Sequence, residues 1–172
     1  MMKKIIIGLV LVWSLFVQAQ SQAQTSEEYY QLGLDRYLLK EDLRGALQAF
    51  NKAIELNPKY ASAYESRAHI KGDLKEHNEA ILDYDKTIEI DPQNKTVYFN
   101  RGLQKSSIQD YMGAMQDYNR VIELDPKFRR AYNSRAIIKI YLGDKMGACL
   151  DWSKAGELGD MSVYDSIKKH CN

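Results

Sequence analysis

The chain contains three histidines and two cysteines, the side chains that most often carry catalysis or bind metal ions. His69 and His77 are separated by eight residues and are expected on different helices, while His170 lies close to the C-terminus. Neither a Ser-His-acid arrangement nor the spacing of metal ligands accompanies them. We therefore predict no catalytic residue, no metal site and no cofactor, and we do not expect an enzyme.

The two cysteines lack the two-residue spacing of a redox pair or a zinc knuckle. Cys149 lies in the last regular segment of the chain, against which the residues around Cys171 should fold. A disulfide between them would close that end of the protein. Two buried or free thiols are the alternative. A thiol-dependent enzyme would in addition need a thiol with a depressed pKa beside a base.

The spacing of the prolines indicates the structural elements in which these histidines and cysteines lie. Proline occurs only at Pro58, Pro92 and Pro126, and both intervals are 34 residues. A residue that ends helices rarely recurs at one fixed period by chance. The period divides the chain into four repeats, residues 27–60, 61–94, 95–128 and 129–160.

Other residues recur in step with the prolines, counting each repeat from its first residue. The fourth position is always tyrosine, the eighth is small except in the first repeat, the twentieth is always alanine and the twenty-fourth is always aromatic. These columns hold Tyr30, Tyr64, Tyr98 and Tyr132; Leu34, Ala68, Gly102 and Ala136; Ala46, Ala80, Ala114 and Ala148; and Phe50, Tyr84, Tyr118 and Trp152.

This series of tyrosine, small residue, alanine, aromatic and proline over residues 27–160 resembles the tetratricopeptide repeat family. The resemblance implies an all-α protein, a right-handed α-solenoid of four helical hairpins. Apolar residues three and four apart in 61–74 and 77–90 independently indicate amphipathic helices. The last repeat ends in Gly159 and Asp160, and residues 161–172 are predicted to form a capping helix with a polar outer face. We expect nine helices and no strands.

Two charged columns vary together. Position 7 is arginine and position 23 is aspartate in the last three repeats, whereas the first repeat has Gly33 and Ala49 there. The joint absence favours ion pairs within each hairpin over a ladder of ligand-binding arginines. The predicted structural pairs are Arg67 with Asp83, Arg101 with Asp117, and Arg135 with Asp151.

Position 11 is Tyr37 in the first repeat and lysine in the others, where the family usually has tyrosine. A lysine ladder could attract an acidic partner. Lysine stems also cover apolar surface while the ammonium groups stay in water, and we favour that interpretation for this column. The column consists of Lys71, Lys105 and Lys139.

The family resemblance implies a groove lined by positions 2, 5, 9, 12 and 13. Members that hold the C-terminal carboxylate of chaperones have lysine and asparagine at positions 5 and 9 of one repeat, which Gln31 and Asp35 do not match. The C-terminal half is partly apolar and would suit a helix or an extended peptide. The predicted partner-binding groove contains Glu65, His69, Phe99, Leu103, Asn133, Ile137 and Tyr141.

The N-terminal residues have the composition of a secretory signal peptide. Lys3 and Lys4 precede the uncharged segment 5–17, and a small and polar stretch follows. A membrane anchor is the alternative, but a span needs ~20 apolar residues. We predict a signal peptide over residues 1–23, with cleavage after Ala19 or Ala23. Its removal would leave 22 basic and 23 acidic residues, which gives no basic face for nucleic acid.

We therefore predict an exported scaffold, periplasmic or secreted, that binds a peptide or helix of another protein in its groove and organises an envelope or extracellular assembly. No nucleic acid partner and no stable membrane span after signal cleavage are expected. The first alternative is a self-associating structural oligomer whose groove is filled by a neighbouring copy. A thiol-dependent periplasmic enzyme is the second.

Overall fold

The structure is a computed structural model that describes residues 25–40 and 42–171. The predicted signal peptide lies outside the described residues. Within them the chain forms nine α-helices, one short 3-10 turn and no strand. The helices are α1 Ser26–Lys40, α2 Leu43–Leu56, α3 Ala61–Asp73, α4 His77–Ile90, α5 Lys95–Ser107, α6 Tyr111–Leu124, α7 Arg129–Tyr141, α8 Lys145–Glu157 and α9 Tyr164–His170.

The helices pair in chain order, and the chain divides into two compact units. The first unit ends at Pro58 and contains the hairpin α1–α2. The second begins at Lys59 and contains the hairpins α3–α4, α5–α6 and α7–α8, with α4 against α5, α6 against α7, and α9 against α8. The predicted all-α fold of helical hairpins is confirmed, and in the second unit the hairpins stack in sequence as in a solenoid.

The repeated alanines and aromatics form the core. All four alanines of position 20 are fully buried, and the four aromatics of position 24 are at most 2% exposed. Alanine leaves one helix flat, so that the large ring one turn later can fill the space between the paired helices. Burial raises the pKa of Tyr118 to about 12, so its hydroxyl stays neutral at physiological pH.

In the first hairpin, the residue that allows the two helices to approach closely is at a different position. A Cβ atom on Gly33 would lie 2.5 Å from the ring of Phe50, and one on Gly102 would lie 2.7 Å from the ring of Tyr118. Gly102 occupies the expected small position 8, whereas Gly33 is one residue earlier. The bulky Leu34 is tolerated in the first repeat because Gly33 makes room for the aromatic ring.

Each hairpin of the second unit turns through one residue with positive φ. These residues are Lys75 at 63°, Gln109 at 63° and Gly143 at 82°. The α-helix before each proline ends at a residue with φ between −129° and −145°, as expected where a proline follows. Asn57, Asp91 and Asp125 are those residues.

The C-terminal cap differs in detail from the prediction of one further helix. Met161–Val163 is a 3-10 turn, begun by a hydrogen bond from the Ser162 amide to the Asp160 side chain, and α9 starts only at Tyr164. Val163 is fully buried, whereas Tyr164 is 52% exposed. The shorter cap is joined covalently to α8, because Cys149 and Cys171 form a disulfide with a Cα–Cα distance of 5.7 Å.

The second helices of three hairpins begin with the same cap. The side chains of Asp42, Asp110 and Asp144 each accept a hydrogen bond from the amide of a glycine three residues later, at 2.8–2.9 Å. A Cβ atom on any of these glycines would lie 2.1 Å from the capping carboxylate. In the remaining hairpin, Glu76 and Glu79 replace the pair, and Glu76 makes no side-chain cap bond.

We expect Asp110→Ala to lower the free energy of unfolding by about 1 kcal/mol, because the first turn of α6 loses its side-chain acceptor. Glu76→Ala is the matched control at the equivalent position of α4 and should change it by much less. Urea unfolding followed by circular dichroism measures both. Equal losses in the two variants would show that the cap does not distinguish these helices.

We also expect no reactive thiol in the denatured chain when the protein is purified by export. Replacing both cysteines with serine should lower the free energy of unfolding by about 3 kcal/mol, since the bond closes a loop of 22 residues at one end of the second unit. Thiol titration under denaturing conditions measures the first outcome. Two reactive thiols per chain would contradict the bond.

Candidate functional site

The arginines of position 7 and the aspartates of position 23 form bidentate ion pairs. In each hairpin of the second unit the arginine donates from Nε to one carboxylate oxygen at 2.8–3.0 Å and from Nη2 to the other at 2.5–2.6 Å. The carboxylates are buried, with Asp83 4%, Asp117 2% and Asp151 5% exposed. The structure therefore brings together the predicted pairs Arg67–Asp83, Arg101–Asp117 and Arg135–Asp151.

The lysine column joins the same carboxylates, which corrects our interpretation of it. Lys71, Lys105 and Lys139 place Nζ 2.8–2.9 Å from Oδ2 of the aspartate in their own hairpin, and their side chains are only 16–20% exposed. The ammonium groups are not held in water, because a buried carboxylate accepts from them. Each hairpin of the second unit thus contains an Arg-Lys-Asp triad. A comparison of the four repeats with one another could have revealed the triad, because the first repeat lacks all three residues and has Gly33, Tyr37 and Ala49 instead.

Two of the arginines also reach the preceding hairpin. Nη1 of Arg101 donates to Asp85 at 2.6 Å, and Nη1 of Arg135 donates to Asn119 at 2.7 Å. Burial would lower the pKa of Arg101, but its hydrogen bonds and its charge interaction with Asp117 outweigh that and raise it. The hydrogen bond to Asp151 raises the pKa of Arg135 in the same way, against its desolvation. Both guanidinium groups stay charged, and their donors are bonded to side chains of the protein itself. They therefore form no ladder for a ligand.

The predicted groove residues of α3 are tied into polar contacts with the next hairpin. Nε2 of His69 lies 3.2 Å from Nδ2 of Asn100. The side-chain amide of Asn94 donates to the carboxylate of Glu65 at 3.5 Å. A third contact joins Nδ1 of His77 to Gln104 at 2.7 Å. His69 is still exposed, but much of the hydrogen-bonding capacity of this region is used within the protein.

Phe99 was assigned to the groove, and the structure shows that this assignment is wrong. Its side chain is 2% exposed and packs with the rings of Tyr118 and Phe128, whose centroids lie 5.8 and 5.2 Å away. The guanidinium of Arg130 covers it at 4.6 Å. Phe99 is therefore a core residue, because the start of the following hairpin encloses it.

Asn133 is also occupied within the protein. Its side chain accepts a hydrogen bond from Nε1 of Trp152 at 3.1 Å and donates to Asp160 at 3.3 Å. It therefore links α7 to α8 and to the start of the cap, and it is not free for a partner. Leu103 is half-buried against the core of the α5–α6 hairpin.

Two predicted groove residues remain exposed on α7. Ile137 is 44% and Tyr141 66% exposed, and the Tyr141 ring stacks on Tyr111 at 5.2 Å with the rings 8° from parallel. Arg130 lies seven residues before Ile137, so these three side chains share one side of the helix. We call this set, Arg130, Ile137 and Tyr141, the α7 face. The sequence interpretation missed Arg130, although it occupies position 2, one of the groove positions of the fourth repeat.

Metal-ligand clusters and membrane-spanning helices are both absent from the described residues. Among residues 25–40 and 42–171 no group of three histidine, cysteine or acidic side chains is placed to hold a metal ion. No helix in that part of the chain is long and apolar enough to cross a bilayer. The histidines lie apart, with His170 packed on Trp152 at 5.5 Å.

Comparison with known proteins gives one family and a set of similar folds. The family model described as tetratricopeptide repeat matches residues 26–60, 61–94 and 96–128. No curated protein matches the chain.

Three solved structures illustrate the similarity, and at these identities each shows the fold alone. The crystal structure of MamA has a TM-score of 0.78 at 22% identity, over 83% of this chain and 78% of that one. A tetratricopeptide repeat protein from Parabacteroides merdae has a TM-score of 0.74 at 24% identity, over 80% and 55%. The first repeat domain of Spaghetti (RPAP3), bound to the HSP90 peptide SRMEEVD, has a TM-score of 0.66 at 22% identity, over 71% and 96%.

We expect Asp117→Asn to lower the free energy of unfolding by about 3–5 kcal/mol, because Lys105 would lose its carboxylate in a largely buried place and Arg101 would keep only the exposed Asp85. Glu123→Gln is the control, since it breaks the exposed pair with Arg120, and it should cost at most about 1 kcal/mol. Denaturant unfolding compares the two. Similar small losses would contradict a structural role for the triads.

Proposed function

The chain belongs to the tetratricopeptide repeat family, whose members mediate protein–protein interactions, and from that premise we propose that it is an exported scaffold that binds a segment of a partner protein along the α7 face. The observation that carries the proposal is the exposure of Ile137 and Tyr141 on one side of α7. An aromatic ring beside an aliphatic side chain is a typical anchor for a peptide or helix.

The stacked rings favour this part of the predicted groove over the region of α3. Tyr141 is held flat against Tyr111, so that little side-chain freedom is lost when a partner covers it. By contrast, His69 and Glu65 already contact the α5 hairpin. The complex of the RPAP3 repeat domain with a peptide of HSP90 supports a peptide as one form of the partner segment.

Export is the second part of the proposal. Lys3 and Lys4 before an uncharged apolar segment, followed by Ala19 and Ala23 at small-residue cleavage sites, support a secretory signal peptide. The Cys149–Cys171 disulfide supports it too, because such bonds persist in oxidising compartments. In that setting the scaffold would organise an envelope or extracellular assembly.

We expect Ile137→Ala combined with Tyr141→Ala to weaken partner capture at least tenfold, because both exposed anchors are removed. The purified mature chain would be incubated with the solubilised envelope fraction, and bound proteins quantified by mass spectrometry. Leu82→Ala combined with Tyr164→Ala is the matched control, since Leu82 and Tyr164 are 64% and 52% exposed elsewhere on the second unit.

Circular dichroism should show unchanged helicity in both variants. If both capture the same proteins as the parent, the partner binds a different surface. Capture of the chain itself as the dominant species would instead support the self-associating oligomer. The mass of the exported protein tests the other part of the proposal, because an N-terminus at Met1 would contradict signal cleavage.

A further inference from the structure

A group of cations lies at the start of α7, at one end of the α7 face. Lys127, Arg129 and Arg130 are all exposed, and among the described residues none of them has a carboxylate within salt-bridge distance. This distinguishes them from Arg101 and Arg135, whose guanidinium groups are each bonded to two side chains. The three cations and Phe128 line an open depression together with Asp125 and Leu158.

The carboxylates around this cluster are already engaged. Asp125 accepts from Nζ of Lys95 at 2.6 Å and from the backbone amide of Lys127 at 3.0 Å. The hydrogen bonds from Lys95 and from the Lys127 amide lower the pKa of Asp125, so this acid stays ionised beside both lysines. Asp160, which borders α7 through Asn133, is hydrogen-bonded to the neutral side chains of Asn133 and Ser162 and keeps its charge. The four cations Lys95, Lys127, Arg129 and Arg130 outnumber the two carboxylates of Asp125 and Asp160. The cluster therefore keeps an excess of positive charge.

Arg130 is the best-placed member of the cluster. Its guanidinium lies 4.6 Å from the centroid of the buried Phe99 ring. This cation–π contact holds the charge at the protein surface, where α5 and α7 meet. A guanidinium that is fixed in place offers two parallel donors to a carboxylate with little further loss of side-chain freedom. Arg130 thus combines exposure, an anchored position and no acidic partner of its own within the described chain.

The spacing along α7 relates this charge to the apolar anchors. Arg130 and Tyr141 are eleven residues apart, which corresponds to about 17 Å along the axis at 1.5 Å per residue. An extended peptide covers that distance in about five residues at 3.3 Å each. A single short segment can therefore contact both ends of the α7 face.

We propose that the partner segment is acidic: its carboxylates pair with Arg130 and the adjoining Arg129, and an apolar residue about five positions away packs on Ile137 and Tyr141. This rests on the proposed function, since it specifies the chemistry of the segment that the α7 face binds. Because the mature chain would be nearly neutral as a whole, the selectivity for acid comes from this local cluster and not from overall charge.

The test uses the purified mature chain with its disulfide intact and a display library of random 12-residue peptides. Selected peptides should be enriched in aspartate or glutamate about five residues from an aliphatic or aromatic residue. A synthesised peptide from that set should bind more weakly as salt rises. Arg130→Gln should weaken it roughly fivefold to tenfold, and Arg130→Lys, which keeps the charge but loses the two parallel donors, should weaken it by less than Arg130→Gln.

Arg44→Gln is the control, because Arg44 is exposed on α2 and its loss changes the net charge equally. Selected peptides that are apolar but not acidic would overturn this inference and leave the proposed function standing. Acidic peptides that bind Arg130→Gln as tightly as the parent would also overturn it. Failure of the parent to select any peptide would contradict the proposed function itself.

Discussion

The buried aspartate of each triad is the constraint on which the second unit depends. A carboxylate that is 2–5% exposed is costly unless charged donors satisfy it, and each one here has both an arginine and a lysine. Apolar residues could supply comparable stability, so the specific effect of the triad is geometric. It fixes the two helices of a hairpin in one register, and the third donor of Arg101 extends this register to the preceding hairpin through Asp85. In the first hairpin, which lacks the triad, Gly33 leaves the space that the Phe50 ring occupies.

Much of the fold could be predicted because it follows from local rules that repeat. Proline ends helices, alanine permits close packing, and a 34-residue period aligns both, so the hairpins and their core columns were evident in the sequence. Phe99 could not be placed in this way. Its position is one that faces a groove in the family, but Phe128 and Arg130 from the next hairpin enclose it, and that enclosure depends on side chains absent from the general pattern. Lys105 was misinterpreted because its column was considered apart from the two columns with which it varies.

The same repeat frame carries two different chemistries along the second unit. Between α3 and α5 the contacts are polar, through His69 with Asn100 and Glu65 with Asn94. Between the last two hairpins, aromatic contacts of Phe99 with Phe128 and of Tyr111 with Tyr141 stand beside the hydrogen bond from Arg135 to Asn119. Polar contacts use up the groups that would recognise a ligand, whereas stacked rings leave one face open. The backbone is the same in each repeat. Which side chains stay exposed depends on which of them the neighbouring hairpin contacts.

The disulfide between Cys149 and Cys171 also determines how the protein bears mechanical load. A pull on the C-terminal end of the chain, as from an attached assembly, enters at Cys171 and passes through the covalent bond into α8. The seven residues of α9 are bypassed and cannot be peeled away one turn at a time. Tension would thus act first on the packed α7–α8 hairpin, which resists as a whole, and the small cap would keep covering Trp152 while the end of the molecule is under strain.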